Sequence, residues 1–316
     1  MNLTLSFLLV VVLALLGGWL TARAARARRP LIKWPGIVLA GLLTALSVLI
    51  LVLAGLGVYR FYRPPARPAP DLQVELTPER VARGERLAYL CANCHSTTGG
   101  PPLDGGVEDF SDGMLGTIYA ANLTPAGELD DWSDGEIMRA IREGVDRQGR
   151  ALLIMPSKRF WGMSDEDAEA LVAYLRSQPA TGTPKPPTTI NLLAATLIGT
   201  GIFPLYAKPL TGPVAAPPAG PTPEHGKYLV EIALCVECHG EELTGEGVSE
   251  FLSVGPNLPA LTADWEEADF IQTMRTGIDP NGHAVDPVEM PWPQFSAALT
   301  DEELAAIFAY IRTLPQ

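Results

Sequence analysis

The sequence predicts a mainly α-helical protein: an N-terminal transmembrane helical hairpin followed by two copies of one small helical domain. Three observations carry that fold class. Two long uncharged apolar runs lie within the first 60 residues. The chain beyond them aligns with itself. All four cysteines fall in two pentapeptides of one pattern, CANCH at 91–95 and CVECH at 235–239.

The apolar runs are LTLSFLLVVVLALLGGWL at 3–20 and GIVLAGLLTALSVLILVLAGLGVY at 36–59. Each is long enough to cross a bilayer as a helix, which takes about 20 residues. Between them Arg23, Arg26, Arg28, Arg29 and Lys33 make a short basic loop, which belongs in the cytoplasm. The N-terminal segment MNLTLS lacks the basic start of a signal peptide, so a retained hairpin is expected. Trp34, Tyr59, Phe61 and Tyr62 flank the second run, where interfacial aromatics belong. Everything after residue 60 then lies outside the cytoplasm. The predicted division is a membrane anchor at 1–62, a linker at 63–76, a first domain at 77–180, a Pro-rich and apolar linker at 181–221 and a second domain at 222–316.

Charge is unevenly distributed. Residues 1–70 hold eight Lys or Arg and no acid, leaving 15 basic and 36 acidic residues after them, a net of −21. Such a balance argues against nucleic acid as a partner. It fits a basic redox partner if the charge is clustered, or merely a soluble exposed domain.

The internal repeat extends beyond the pentapeptides. DWSDGEIMRAIREG at 131–144 aligns with DWEEADFIQTMRTG at 264–277, pairing Trp132 with Trp265 and Arg142 with Arg275. Asn122 pairs with Asn257, and Met155-Pro156 with Met290-Pro291. SDEDAEALVAYLR at 164–176 recurs as TDEELAAIFAYIR at 300–312. Each copy opens with a hydroxyl followed three residues later by an acid, a helix start signal, and then shows apolar residues at helical spacing. Short helices are also expected before each cysteine motif, at 78–90 and 223–234.

The cysteines allow three readings. A disulfide framework is too sparse at four in 316 residues. A zinc site would have to join pairs 144 residues apart or recruit other ligands. Covalent haem attachment uses each motif as it stands: Cys91 and Cys94, or Cys235 and Cys238, bond one porphyrin, and the adjacent His95 or His239 becomes an axial iron ligand. Two covalently bound haems c are therefore expected.

The order of helix, Cys-x-x-Cys-His, long loops, Met-Pro and final helix resembles a class I cytochrome c domain, twice over. In that family the first and last helices cross with a small residue against an aromatic, which here implies Gly84 against Tyr174 and Gly226 against Tyr310. The family also places a methionine on the sixth iron position before the last helix. That implies Met155, 60 residues beyond His95, and Met290, 51 beyond His239. Competing methionines are Met114, Met138, Met163 and Met274; the first sits in a glycine-flanked loop, and the others read as helix-packing residues. His283 is the rival for the second haem, and it aligns with Arg150. Trp132 and Trp265 are open between haem-propionate donors and ordinary buried aromatics.

The uncharged segment INLLAATLIGTGIFPLYA at 190–207 is long enough for a third span. That crossing would put CVECH in the cytoplasm, so packing between the haem domains or rest on the bilayer surface is expected instead.

The first domain is similar to the cytochrome c subunits of membrane-bound alcohol, aldehyde and gluconate dehydrogenases. The chain departs from them in having two haem motifs where those subunits usually have three, and in its N-terminal hairpin. Hairpin plus two haem domains resembles the dihaem subunit of high-affinity haem–copper oxidases. The resemblance implies an electron relay in the bacterial cytoplasmic membrane, with its haem domains on the periplasmic side. Its expected partners are a membrane complex and a basic soluble carrier. A haem enzyme or sensor would need an open iron position, which the two Met-Pro segments argue against.

Overall fold

The computed structural model describes residues 2–245 and 254–315, and it is mainly helical. Helices α1 (Leu3–Ala25) and α2 (Pro30–Tyr62) form the N-terminal hairpin, and both are long and apolar enough to cross a membrane. Most of their large apolar side chains are exposed, among them Leu5, Leu8, Leu15, Leu39, Leu42 and Val52. A helix that is apolar on all faces calls for an apolar covering, of the kind a bilayer or a protein interior supplies. The 33 residues of α2 reach roughly 50 Å at 1.5 Å per residue, beyond the ~30 Å of hydrocarbon. The turn is shorter than the expected loop at 21–35, because α1 runs to Ala25 and α2 begins at Pro30. Alanine and arginine favour helix, and a proline at the first helical position loses no hydrogen bond.

The first domain is built from α3 (Pro78–His95), α4 (Asp134–Glu143), α5 (Ser157–Phe160) and α6 (Asp165–Ser177). Hydroxyl caps start three of these helices: Thr77 for α3, Ser133 with Glu136 in a capping box for α4, and Ser164 for α6. Helices α3 and α6 cross where Gly84 meets α6. A Cβ on Gly84 would lie 1.9 Å from the Ala170 carbonyl and 2.7 Å from Tyr174 Cβ, so only glycine permits this approach.

Beyond the second linker come α8 (Pro223–Ile232), α9 (Cys235–His239), α10 (Leu258–Leu261), α11 (Glu267–Thr276), α12 (Trp292–Ala298) and α13 (Asp301–Ile311). The crossing recurs: a Cβ on Gly226 would lie 1.9 Å from the Ala306 carbonyl and 2.9 Å from Tyr310 Cβ. Other contacts repeat in register. Arg142 pairs with Asp165 at 2.6 Å and Arg275 with Asp301 at 2.7 Å. Antiparallel bridges join Val145 to Ala151 and Ile278 to Ala284.

One local difference departs from expectation. Helix α3 runs unbroken through CANCH, whereas α8 stops at Ile232 and CVECH forms the separate α9. Gly84 lies seven residues before Cys91 and Gly226 nine before Cys235. The two extra residues are absorbed by a break in which Leu234 adopts φ 63°, a conformation unusual for a non-glycine residue.

Both linkers are stitched down. Residues 63–76 run along α4, with Val74 N–H donating to Asp134 (2.8 Å) and Arg139 donating to the Arg67 carbonyl (3.2 Å). In the second linker, Asn122 donates to the Thr181 carbonyl (2.8 Å). Strand β2 (Thr189–Ile190) then pairs antiparallel with β1 (Gly116–Thr117). Next comes α7 (Leu192–Thr200), which packs against α2. The expectation that 190–207 packs between the haem domains is therefore corrected: small residues let α7 dock on the anchor. Gly57 sits on the Ala195 carbonyl and Gly199 on that of Leu53, each too close for a Cβ.

The two domains share one continuous core that includes Leu87, Leu171, Leu229 and Leu304. Helix α12 packs on α3, and α5 on α8. Arg83 of α3 bridges Asp167 (2.8 Å) and Glu303, which occupy equivalent positions in the two repeats. Tyr228 of α8 donates to Asp167 at 2.6 Å.

Candidate functional site

On α3, Cys91 and Cys94 stand three residues apart and so share a helix face; Cys235 and Cys238 repeat the spacing on α9. All four cysteines are free and half-buried. Burial pushes Cys91 and Cys235 up to about 12, and raises Cys94 and Cys238 as well. Desolvation thus keeps the four sulfurs as thiols, the form that adds to a vinyl group in covalent haem attachment. Among the described residues, no group of three or more His, Cys, Asp or Glu side chains gathers to hold a metal ion.

The histidines are held alike. His95 Nδ1 lies 2.8 Å from the Ala121 carbonyl, and His239 Nδ1 lies 2.9 Å from the Pro256 carbonyl. With Nδ1–H donating to a carbonyl, each ring keeps its Nε2 lone pair for a metal. Burial lowers both pKa values, which favours the neutral, ligating imidazole. The two acceptors are equivalent in the repeat, each directly preceding the paired asparagines Asn122 and Asn257.

Met155 and Met290 are half-buried and pack against the shared core, as do Cys91 and Cys235. Their local backbone is the same: Ser157 N–H donates to the Met155 carbonyl (2.8 Å), and Trp292 N–H to that of Met290 (2.7 Å). Pro156 and Pro291 match as well, at φ −79°, ψ 47° and φ −75°, ψ 57°. Ile154, directly before Met155, adopts φ 67°. Such strain in a β-branched residue costs on the order of 1–3 kcal/mol and marks functional loops.

The competitors lie elsewhere. Met138, Met163 and Met274 are buried in the core. Met114 is 66% exposed on a loop next to the anchor. His283 is exposed on a turn closed by Asp279 N–H donating to its carbonyl (3.0 Å), where Asp146 and Arg150 make the same bond (2.9 Å) in the first repeat. Trp132 and Trp265 are half-buried against the core.

Sequence reasoning missed the contacts that join the two sites. Arg159, four residues past Met155, is only 6% exposed and pairs with Glu237 (2.6 Å), Glu241 (2.9 Å) and Glu231 (3.3 Å) around CVECH. Glu237 is a variable position between the two cysteines. The repeat puts Gln294 opposite Arg159 and Pro293 opposite Lys158, so nothing in the sequence singled out Arg159.

The residues present fit covalent haem: paired thiols on one face, an adjacent neutral histidine with its second nitrogen committed, and a methionine against the same core. The Cytochrome c family model matches residues 81–179 and 223–315. The gluconate 2-dehydrogenase cytochrome c subunit of Pantoea cypripedii is 30% identical over 270 residues, covering 74% of this chain and 59% of that protein. The fructose dehydrogenase cytochrome subunit of Gluconobacter japonicus is 27% identical, over 84% of this chain and 58% of that one. The chain thus spans under two thirds of both these relatives. A diheme cytochrome c-type protein of Cereibacter sphaeroides is 26% identical, over 86% of this chain and 98% of its own length.

Proposed function

Because the chain belongs to the cytochrome c family, we propose that it is a membrane-anchored electron relay carrying two covalent haems c. It is an electron-transfer cytochrome; the count of haems, the ligands and the topology are the proposal. Cys91 and Cys94 hold the first haem and Cys235 and Cys238 the second. His95 and Met155 ligate the first iron, His239 and Met290 the second. Haem c supplies a one-electron iron couple when bound. The histidines donate through Nε2 while Ala121 and Pro256 fix the rings. A methionine ligand raises the potential and closes the iron to oxygen chemistry. The α1–α2 hairpin holds both domains at the outer face of the bacterial cytoplasmic membrane.

The observation that carries this reading is the duplicated histidine arrangement, with buried rings set behind each Cys-x-x-Cys and tied to equivalent carbonyls. The mass of the purified protein tests it. Denatured chain should remain coloured and weigh two haems more than the polypeptide; a gain of one haem, or colour lost on denaturation, rejects it.

A second reading, a fixed subunit of a dehydrogenase or oxidase complex, is favoured by the stitched linkers, which leave no long free tether between anchor and haem domains. Similarity to dehydrogenase cytochrome subunits points the same way.

A further inference from the structure

We propose that α7 and the loop at 107–115 form a foot that seats the first domain in the headgroup–acyl boundary of the bilayer. Lipid is the partner of this surface. The proposal rests on reading α1 and α2 as a membrane anchor, and extends membrane contact to chain well outside it.

Depth is the first support. Helices α1 and α2 are antiparallel, with Gly17 against Ala40 and Thr44, and Gly36 against Ala24. That register brings Leu3–Phe7 of α1 level with Leu53–Gly57 of α2. Helix α7 packs on those same residues, through Leu53 and Gly199 and through Gly57 and Ala195. The apolar run of α2 continues outward to Tyr59. So α7 lies beside the outermost turns of the apolar hairpin rather than above them.

Polar satisfaction is the second. The segment LLAATLIGT carries no charge, and both its ends are closed. Asn191 caps the N-terminus through Ala194 N–H (3.0 Å), and its amide donates to the Met114 carbonyl (2.7 Å). Arg60 donates to the carbonyls of Ile198 (3.0 Å) and Gly199 (3.1 Å) at the other end. A helix with its terminal groups satisfied can rest in an apolar boundary without bare carbonyls.

The exposed side chains are the third. Leu193 is 47% exposed, Met114 66%, Phe110 46% and Ile202 69%. Leu193 and Ile202 adjoin the contact of α7 with α2, and Met114 is tied to the start of α7 through Asn191. One apolar occupant therefore covers them with the bare α1 and α2, while the exposed Glu108 and Asp112 of the same loop stay at the level of the headgroups. Nine residues reach only about 14 Å and cannot span the bilayer. With Ala195 on Gly57 and Gly199 on Leu53, α7 runs antiparallel to α2 beside its outer turns, its Asn191 end outward and its Ile202 end deeper. The chain leading from this foot ends at Ala121, whose carbonyl holds His95.

The test is photolabelling of the haem-loaded full chain in phosphatidylcholine vesicles doped with a diazirine-bearing phosphatidylcholine, with adducts mapped by mass spectrometry. Adducts are expected in 107–115 and 190–203 as well as in α1 and α2. In the double variant Leu193→Glu, Met114→Glu, yield in the foot should fall about tenfold relative to α2, because charge opposes insertion at an interface. Both positions are exposed, so the fold is kept. Adducts confined to α1 and α2 overturn the foot and leave the anchor standing, as would be seen if a second copy or another subunit covered it. Absence of adducts from α1 and α2 overturns the anchor itself. Equal labelling of the exposed face of α13 would mark the foot adducts as non-specific and reject the proposal.

Discussion

Met155 and Met290 show what a residue-level reading can and cannot see. Their position before proline was legible, and the two turns share one backbone conformation. The strain at Ile154 was not, because its equivalent, Glu289, has no such φ and nothing in the residue type announces it. Nor were the carbonyls of Ala121 and Pro256 legible as histidine partners, since a backbone acceptor leaves no mark in the choice of side chain. Arg159 hid for another reason: its three carboxylates come from the other domain. The first prediction belongs to this scale. Met155→Ala and Met290→Ala should each remove half of the methionine-to-iron absorption band at the red edge and open that haem to carbon monoxide. The potential of the affected haem should fall by on the order of 100 mV, a fraction of the ~0.8 V that axial ligands control. His283→Ala should change neither spectrum nor potential, because its side chain faces solvent on a turn. A spectrum altered by His283→Ala and not by Met290→Ala reverses the assignment of the second site.

Among elements, amphipathic helices with hydroxyl caps were legible, and the glycine–tyrosine crossing followed from the family resemblance and not from the residue pattern itself. What escaped was placement that depends on distant chain. The segment 190–207 has no charge and no strong face, so its sequence could not say which apolar surface it would meet; backbone contact through Gly57 and Gly199 decided for α2. The break before CVECH was in plain view as a two-residue difference in spacing, although only the fold shows that Leu234 absorbs it. The crossing helices give the second prediction. A side chain at Gly84 must displace the α6 backbone at Ala170, since the contact at 1.9 Å is with a carbonyl and not with a flexible side-chain end. Overpacking of this kind costs about 1–3 kcal/mol, so Gly84→Ala and Gly226→Ala should each lower the Tm of the haem-loaded protein by roughly 2–12 °C. Gly212→Ala, where an added Cβ meets nothing within 4 Å, should leave it unchanged. Thermal melts followed in the haem band measure this. An unshifted Tm for Gly84→Ala would mean that α3 and α6 do not cross this closely.

For the whole molecule, electrostatics divides into a protected interior and an exposed shell, and the two should respond to salt differently. Between the domains, Arg159 is almost fully buried and its ion pairs sit beside a shared apolar core. Mobile ions screen a buried charge such as Arg159 less than an exposed one. Although its glutamate partners are partly exposed, the apolar core holds the domains together without regard to salt. Transfer from one haem to the other, across domains already docked through α5 on α8 and α12 on α3, should therefore keep its rate as ionic strength rises. The outer surface differs. Beyond residue 70 the chain has a net charge of −21, enough to steer a basic soluble carrier. Steering of this kind raises association rates by about 10–1,000-fold, and it is screened over about 10 Å at 0.1 M salt. The second-order rate of electron exchange with a basic carrier should thus fall about tenfold or more between low and physiological salt. Stopped-flow mixing across an ionic-strength series reads both rates at once, the bimolecular phase by its dependence on carrier concentration and the internal phase by its independence of it. A bimolecular rate flat with salt would remove the diffusing carrier and leave a fixed subunit fed within one assembly. An internal rate that fell with salt would show that the domains part and re-dock between turnovers, against the shared core and the buried arginine that join them.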